Sequence, residues 1–238
     1  METLSVVIPA YNEEKRLPAT LDRIAAWVER SPLPVDEVLV VDDGSRDGTA
    51  ALVENRGGLV RLVRNPANRG KGYAVRTGML AARGDWILST DADLSAPIEE
   101  LGKLIDAARR ENAVVAIGSR ALDRQLVKVH QPMMREISGR AFNVVMRVVT
   151  GLPFRDTQCG FKLFRQDAAK NIFSRQVEEG FSFDVEDLVI ARLLGLRSIE
   201  VPVEWSNVEG TKVSLAQGMK SFADLVRIRG RAVRGKYK

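Results

Sequence analysis

The first half of this chain has a regular rhythm: short, continuous apolar runs alternate with longer stretches of helical spacing. Residues 4–9, 38–41, 59–63, 86–89 and 114–117 are short runs dominated by Val, Ile and Leu, the pattern of strands buried on both faces. Between them, residues 17–30 carry Leu17, Leu21, Ile24, Ala25 and Val28 at helical intervals. A short helix at 49–54 follows Asp47-Gly48, another spans 73–82, and Pro97 opens a helix through Leu101, Leu104, Ile105 and Ala108. Buried strands separated by helices predict a parallel sheet with right-handed crossovers, an α/β chain of Rossmann-like build.

Such a sheet binds ligands beyond the carboxyl ends of its strands. The residues in those places are Pro9-Ala10-Tyr11-Asn12-Glu13-Glu14, Asp42-Asp43-Gly44-Ser45, the loop from Asn65 to Gly72, Asp91-Ala92-Asp93 and Gly118-Ser119-Arg120. Polar, acidic and glycine residues therefore converge on one edge.

Asp91 and Asp93 stand one residue apart, so they lie on the same side of an extended chain. There they can share a hard divalent cation while leaving positions open for phosphate oxygens, or they can simply cap the next turn. Asp42 can accept hydrogen bonds from a nucleobase or ribose edge, or open a turn ahead of the Thr49 helix. Asn68-Arg69-Gly70-Lys71-Gly72 lets backbone approach closely at a helix N-terminus, which attracts anions. The spacing is not that of an NTPase phosphate loop, and no G-x-G-x-x-G follows the first strand, which weighs against nicotinamide or flavin binding.

The 36 Lys plus Arg exceed the 31 Asp plus Glu by five, and the excess lies in Arg227, Arg229, Arg231, Arg234, Lys236 and Lys238. With the positive charge so local and aromatics at 6%, a nucleic-acid binder is not expected. One cysteine, Cys159, excludes an internal disulfide framework and points to a reducing compartment. One histidine, His130, excludes a His-rich zinc site. No apolar run approaches the about 20 residues of a membrane-spanning helix.

After residue 120 the rhythm changes. Residues 127–149 have imperfect helical spacing, 161–165 alternate as a strand, 185–194 read as a helix, 199–203 as a strand, and 218–233 as a basic amphipathic helix. Without repeats or a linker, residues 1–238 are read as one domain.

Val-Val-Ile-Pro-Ala-Tyr-Asn-Glu-Glu, Val-Val-Asp-Asp-Gly-Ser, Asn-Arg-Gly-Lys-Gly and Asp-Ala-Asp, in this order and spacing, resemble the family 2 glycosyltransferases of GT-A fold. Farther on, Gly118-Ser119-Arg120, the stretch around Arg135 and Ser138, Asp156–Phe164, Phe183-Asp184-Val185-Glu186 and Glu209-Gly210-Thr211-Lys212 look like the dolichyl-phosphate β-glucosyltransferases. The resemblance implies a nucleotide-sugar half (1–120) and an acceptor half (121–238). It implies inverting transfer of glucose from UDP-glucose to a polyprenyl (dolichyl-type) phosphate with Mg²⁺ or Mn²⁺. GDP-mannose as donor, or a saccharide acceptor, is the alternative within the class.

Carried over residue by residue, Pro9, Ala10, Tyr11 and Glu13 would bound base and ribose, and Asp42 would hydrogen-bond the base. Asp91 and Asp93 would hold the metal, and Lys71 and Lys212 would face the diphosphate. Arg120 and Arg135 would hold the acceptor phosphate. Asp93 with Asp156 and Glu186 would be the catalytic carboxylates, the latter two as base or orienter, with Asp184 and Asp187 as competing choices. A lipid acceptor would bring the enzyme to a bilayer. Leu126, Val127, Val129, Met133, Met134 and Ile137, interleaved with Arg124, Lys128, Arg135 and Arg140, suit a membrane interface. The expected location is peripheral, on the cytoplasmic face.

Overall fold

The computed structural model describes residues 1–31, 33–130, 132–208 and 215–237, without the side chains of 135 and 215–221. In chain order, β1 (Leu4–Ala10) is followed by α1 (Leu17–Val28), β2 (Val35–Asp42), α2 (Thr49–Glu54), β3 (Val60–Arg64), α3 (Lys71–Ala81) and β4 (Trp86–Ser89). A 3₁₀ turn, Ile98–Glu100, leads into α4 (Leu101–Arg110), so the helix expected at Pro97 begins with a tighter turn. Then come β5 (Val115–Ser119), β6 (Val127–Val129), α5 (Met133–Thr150), β7 (Lys162–Arg165), α6 (Gln166–Phe173), α7 (Phe183–Leu193), β8 (Ser198–Pro202), β9 (Trp205–Ser206) and α8 (Leu215–Val233).

The main sheet has the order β3-β2-β1-β4-β7-β5-β8. β1 pairs in parallel with β2 and β4, β2 with β3, and β5 with β8, while β7 runs antiparallel between β4 and β5. The expected mostly parallel α/β sheet is therefore present, with one reversed strand wedged into it. The chain winds outward from β1 to β3 and returns on the other side of β1 at β4. The carboxyl ends of β1 and β4 thus flank the switch point where such sheets bind ligands.

Side chains alternate across β1 to feed two apolar layers. Leu4, Val6 and Ile8 meet Leu17, Leu21 and Ile24 of α1 and Leu101, Leu104 and Ile105 of α4. Val7 meets Val75 and Met79 of α3 on the opposite face, in a layer continued by Phe164, Phe173, Leu188, Leu225 and Ile228. Each such fully buried Leu, Ile or Val side chain contributes about 1.5–3 kcal/mol. α6 packs against α3 and α7 in this second layer. The spacing of Ala168, Ala169, Ile172 and Phe173, all buried, is the helical signal of α6 that the reading of 161–165 as an isolated strand left out. The stretch read as helical over 127–149 is in fact two elements: β6 pairs with β9, and α5 starts only after Pro132.

Candidate active site

β1 and β4 end side by side, and their continuations build the site. Thr90 donates its N–H to Val7 O at 3.0 Å, which carries Asp91 just past the sheet edge. Lys71, first residue of α3, reaches across so that its Nζ lies 2.6 Å from Asp91 Oδ1. Desolvation opposes the charge on both groups. The ion pair outweighs it, so Asp91 sits below the ordinary carboxylate value, with Lys162 and Arg120 adding positive field, and Lys71 sits above the ordinary amine value. Asp93 caps its own turn, its Oδ1 accepting from Ser95 N at 3.0 Å and Ser95 Oγ at 2.9 Å. Its other oxygen lies 3.7 Å from Arg16 Nη1. The turn-capping and cation-holding readings of this pair are thus compatible, since one oxygen of Asp93 serves each.

Gly160 explains how Asp91 is held. A Cβ on Gly160 would stand 2.2 Å from Asp91 Oδ2, so only glycine permits this approach. The approach arises because β7 is antiparallel. Ser89 at the carboxyl end of β4 pairs with Lys162 at the start of β7, which brings the 156–161 loop to the site. Lys162 is buried and ion-paired with Asp184 of α7. A cavity beside them is lined by Lys71, Ser89, Gly160, Lys162, Asp184 and Asp187. Asp187 Oδ1 has no hydrogen-bond partner among the described residues. Burial, then Glu186 and Asp184, push its carboxyl well above the usual range. A lysine inside a buried strand breaks the apolar pattern of 161–165, and that break was the available signal for Lys162.

Glu13 is buried, forms an ion pair with Arg16 at 2.6 Å and donates its N–H to Thr49 Oγ1 at 2.8 Å. Pro9 and Ala10 end β1 with Tyr11 next in line, and Asp42 ends β2 in register with Ala10, accepting from Ser45 N at 3.1 Å. The adjacent acid does different work: Asp43 Oδ2 accepts from Arg69 N at 3.0 Å and Gly70 N at 2.7 Å, fixing the loop ahead of Lys71. Sequence reading gave Asp43 no role of its own, and its signal was its place beside Asp42 at a strand end.

Arg120 and Asp156, expected in separate roles, are partners. Arg120 donates Nε to Asp156 Oδ2 at 2.7 Å and Nη2 to Oδ1 at 2.8 Å, and its N–H also reaches Oδ2. Asp156 is almost fully buried and held below its ordinary value. Burial opposes ionisation there, and Arg120 outweighs it. Both its oxygens are engaged, the geometry of a carboxylate that orients an arginine.

Glu186 departs from the expected grouping. It is fully buried on the face of α7 opposite Asp184, and it accepts from Val177 N, Glu178 N and Tyr237 OH. It does not line the cavity that Asp184 and Asp187 share. The helical turn explains this, since residues two apart project to opposite sides. Lys212 and the Arg135 side chain lie outside the described residues. His130 is exposed and its Nδ1 contacts Glu136 Oε1 at 2.7 Å. Cys159 is buried, and burial pushes its thiol up to about 11, so it is not a reactive thiolate.

A divalent cation fits the donor set as a substrate-assisted site. No cluster of three or more His, Cys, Asp or Glu suited to a metal occurs among the described residues. Asp91 and Asp93 supply hard oxygens, and Mg²⁺-type ions are commonly held by one or two carboxylates plus substrate phosphates. Lys71 already shows that a positive charge is favoured at Asp91.

The chain is 38% identical over 237 residues to a dolichyl-phosphate beta-glucosyltransferase of Trichomonas vaginalis, covering 94% of this chain and 72% of that protein. It is 36% identical over 251 residues to the dolichyl-phosphate beta-glucosyltransferase of Homo sapiens, covering 99% and 77%. Among solved structures, it resembles glucosyl-3-phosphoglycerate synthase from Mycobacterium tuberculosis in complex with Mn²⁺, UDP-glucose and phosphoglyceric acid. That match has a TM-score of 0.71 at 20% identity, covering 96% of this chain and 80% of the other. Mannosyl-3-phosphoglycerate synthase from Rubrobacter xylanophilus matches with a TM-score of 0.72 at 20% identity, covering 99% and 75%. These neighbours share the GT-A fold. The model of glycosyl transferase family 2 matches residues 5–173, and the chain belongs to that family of glycosyltransferases.

Proposed function

We propose that the chain transfers glucose from UDP-glucose to a polyprenyl, dolichyl-type phosphate with inversion at C1, giving a β-linked sugar phospholipid and UDP. The names and coverage of its relatives support the lipid-phosphate acceptor and the glucosyl group. The observation that carries the reading is Lys71 on Asp91, two residues from Asp93, at the sheet's switch point.

In this reading Pro9, Ala10, Tyr11, Glu13 and Asp42 bound the uridine, and Lys71 faces the diphosphate. Mg²⁺ or Mn²⁺ on Asp91 and Asp93 would offset the negative charge that grows on the diphosphate as the C1–O bond breaks. Arg120, aimed by Asp156, and Arg135 bind the acceptor phosphate. A phosphate monoester has a second pKa of about 6, so it is largely dianionic at neutral pH and attacks without a strong base. Orientation and charge are what the protein supplies.

The acceptor reaches the enzyme from a bilayer, and the helical surface supports docking there. In α5, residues Met133, Met134, Ile137, Val144, Val145 and Val148 are exposed, with Met133 and Met134 at 78% and Val148 at 80%. At 100° per residue they form one continuous stripe, opposite the buried Phe142 and Met146, with Arg140 and Arg147 along one margin. On α8, Phe222, Val226 and Val233 are exposed as well, and Phe222 packs edge-on against Phe142 at 5.3 Å. An apolar stripe with two arginines along one margin, where Glu136 pairs with Arg140, suits the interface of an anionic membrane. No helix among the described residues is long and apolar enough to cross a membrane. We read the attachment as peripheral and cytoplasmic, in keeping with the buried, unpaired Cys159.

The test is incubation of the purified chain with radiolabelled UDP-glucose, MnCl₂ and a short polyprenyl phosphate. Labelled lipid is expected. No lipid-linked sugar across a panel of nucleotide sugars would overturn the proposal.

A further inference from the structure

Lys71 is held in place by a clasp whose far end lies on the tail that follows α8. The first turn of α3 is gripped by the loop over residues 176–180. Tyr73 donates its N–H to Glu179 O at 3.2 Å, and Gln176 Nε2 donates to Gly72 O at 2.9 Å. Arg69 pairs with Glu179 and lies over the Tyr73 ring at 3.8 Å. The two glycines flanking Lys71 make the grip possible. A Cβ on Gly70 would come within 2.5 Å of Glu179 O, and one on Gly72 within 2.6 Å of Glu178 O.

The gripping loop is fixed from behind by Glu186, whose Oε2 accepts from Val177 N at 2.8 Å and Glu178 N at 2.6 Å. Glu186 Oε1 is fixed in turn by Tyr237 OH at 2.5 Å and Arg231 Nη1 at 3.4 Å, and Arg231 also reaches Glu178 Oε1 at 2.5 Å. Tyr237 is almost fully buried. Burial, with Glu186 beside it, pushes its phenol up, so it keeps the proton it donates. The basic C-terminal stretch thus sends one arginine and one tyrosine inward.

We infer that Arg231 and Tyr237 are positioning residues for the donor diphosphate: through Glu186 and the 176–180 loop they set where Lys71 meets Asp91. The inference rests on the proposed donor role of Lys71, and it makes α8 a structural link between the acceptor-side surface and the nucleotide site. Removing the Tyr237 hydroxyl leaves Glu186 with an unmatched lone pair and loosens the loop. The ammonium of Lys71 then spends less time where the diphosphate needs it.

The experiment compares wild type, Tyr237→Phe, Arg231→Gln and Arg231→Lys for UDP affinity with MnCl₂ by calorimetry, for KM and kcat with UDP-glucose, and for amide hydrogen exchange. Ser182→Ala serves as control, because it cuts a different tie of α8, the 2.8 Å hydrogen bond from Ser182 to Asp224, without touching the loop. Expected for Tyr237→Phe and Arg231→Gln are about tenfold weaker UDP binding and a matching rise in donor KM, with the acceptor KM unchanged. Exchange at the Tyr73, Val177 and Glu178 amides is expected to quicken, with partial recovery in Arg231→Lys. Ser182→Ala is expected to lower Tm while leaving UDP affinity unchanged. Unaltered UDP affinity in both tail variants would overturn the inference, as would loss of affinity in step with Tm across all variants, the control included. If wild type binds no nucleotide diphosphate, the donor reading fails instead, and the exchange pattern still decides whether the tail holds the loop.

Discussion

Lys71 Nζ and Asp91 Oδ1, 2.6 Å apart, join the start of α3 to the end of β4 across the switch point of the sheet. The pair keeps Asp91 ionised, and in the proposed function it presents a positive charge to the departing diphosphate. Lys71→Met is expected to lower kcat/KM by about 10²–10³, the loss typical of removing one group that stabilises developing charge. Steady-state kinetics with UDP-glucose measures it, and a change below threefold would remove Lys71 from the transition state.

Gly160 faces Asp91 with no room for a methyl group, its Cβ position being 2.2 Å from Oδ2. Gly160→Ala must push Asp91 off Lys71 or shift the loop. A displacement of about 1 Å at a reacting centre costs on the order of 100-fold in rate. The expected outcome is that loss with Tm little changed, measured on the same purified protein by turnover and calorimetry.

Arg120 and Asp156 form a bidentate pair, with Asp156 almost wholly buried. Asp156→Ala leaves the guanidinium without its carboxylate. The cost of breaking a buried pair is about 3–5 kcal/mol, and the lower end applies because 26% of the Arg120 side chain is exposed. For a chain of this size that is a Tm fall of roughly 6–12 °C. The double variant Arg120→Ala/Asp156→Ala should fall by less than the two single variants summed.

Asp187 gives a pH signature. Its folded-state pKa is raised by burial first, with Glu186 and Asp184 adding to the effect and Lys162 opposing it. The folded state therefore holds the proton more tightly than the unfolded one, so this group stabilises at low pH and the benefit is lost as pH rises through its folded value. Asp187→Asn should match wild type below about pH 4 and become more stable than it as pH rises toward 8. Melting curves across that range test this, and a constant offset between the two proteins would show that Asp187 does not titrate as described.

The stripe on α5 predicts vesicle binding. Wild type should float with vesicles containing phosphatidylglycerol and less with neutral ones, since each basic residue near an anionic surface adds about 1 kcal/mol. Val148→Glu and Met134→Glu should lose flotation while keeping turnover on a short, water-soluble polyprenyl phosphate. Flotation unaffected by both substitutions would place the docking surface elsewhere.

The strand-and-helix alternation and the polar strand ends were legible in the amino-acid order because they are local: buried strands need apolar runs, and the residues that follow them mark the sheet's carboxyl edge. Long-range packing set β7 antiparallel between β4 and β5, which puts Gly160 against Asp91 and Lys162 beside Asp184. It alone decided that Asp156 serves Arg120, and that Glu186 turns away from the cavity to anchor Tyr237. Those outcomes depend on pairings between residues dozens of positions apart. Pattern reads which side chains prefer burial, whereas strand order and helix docking settle which partners they meet there.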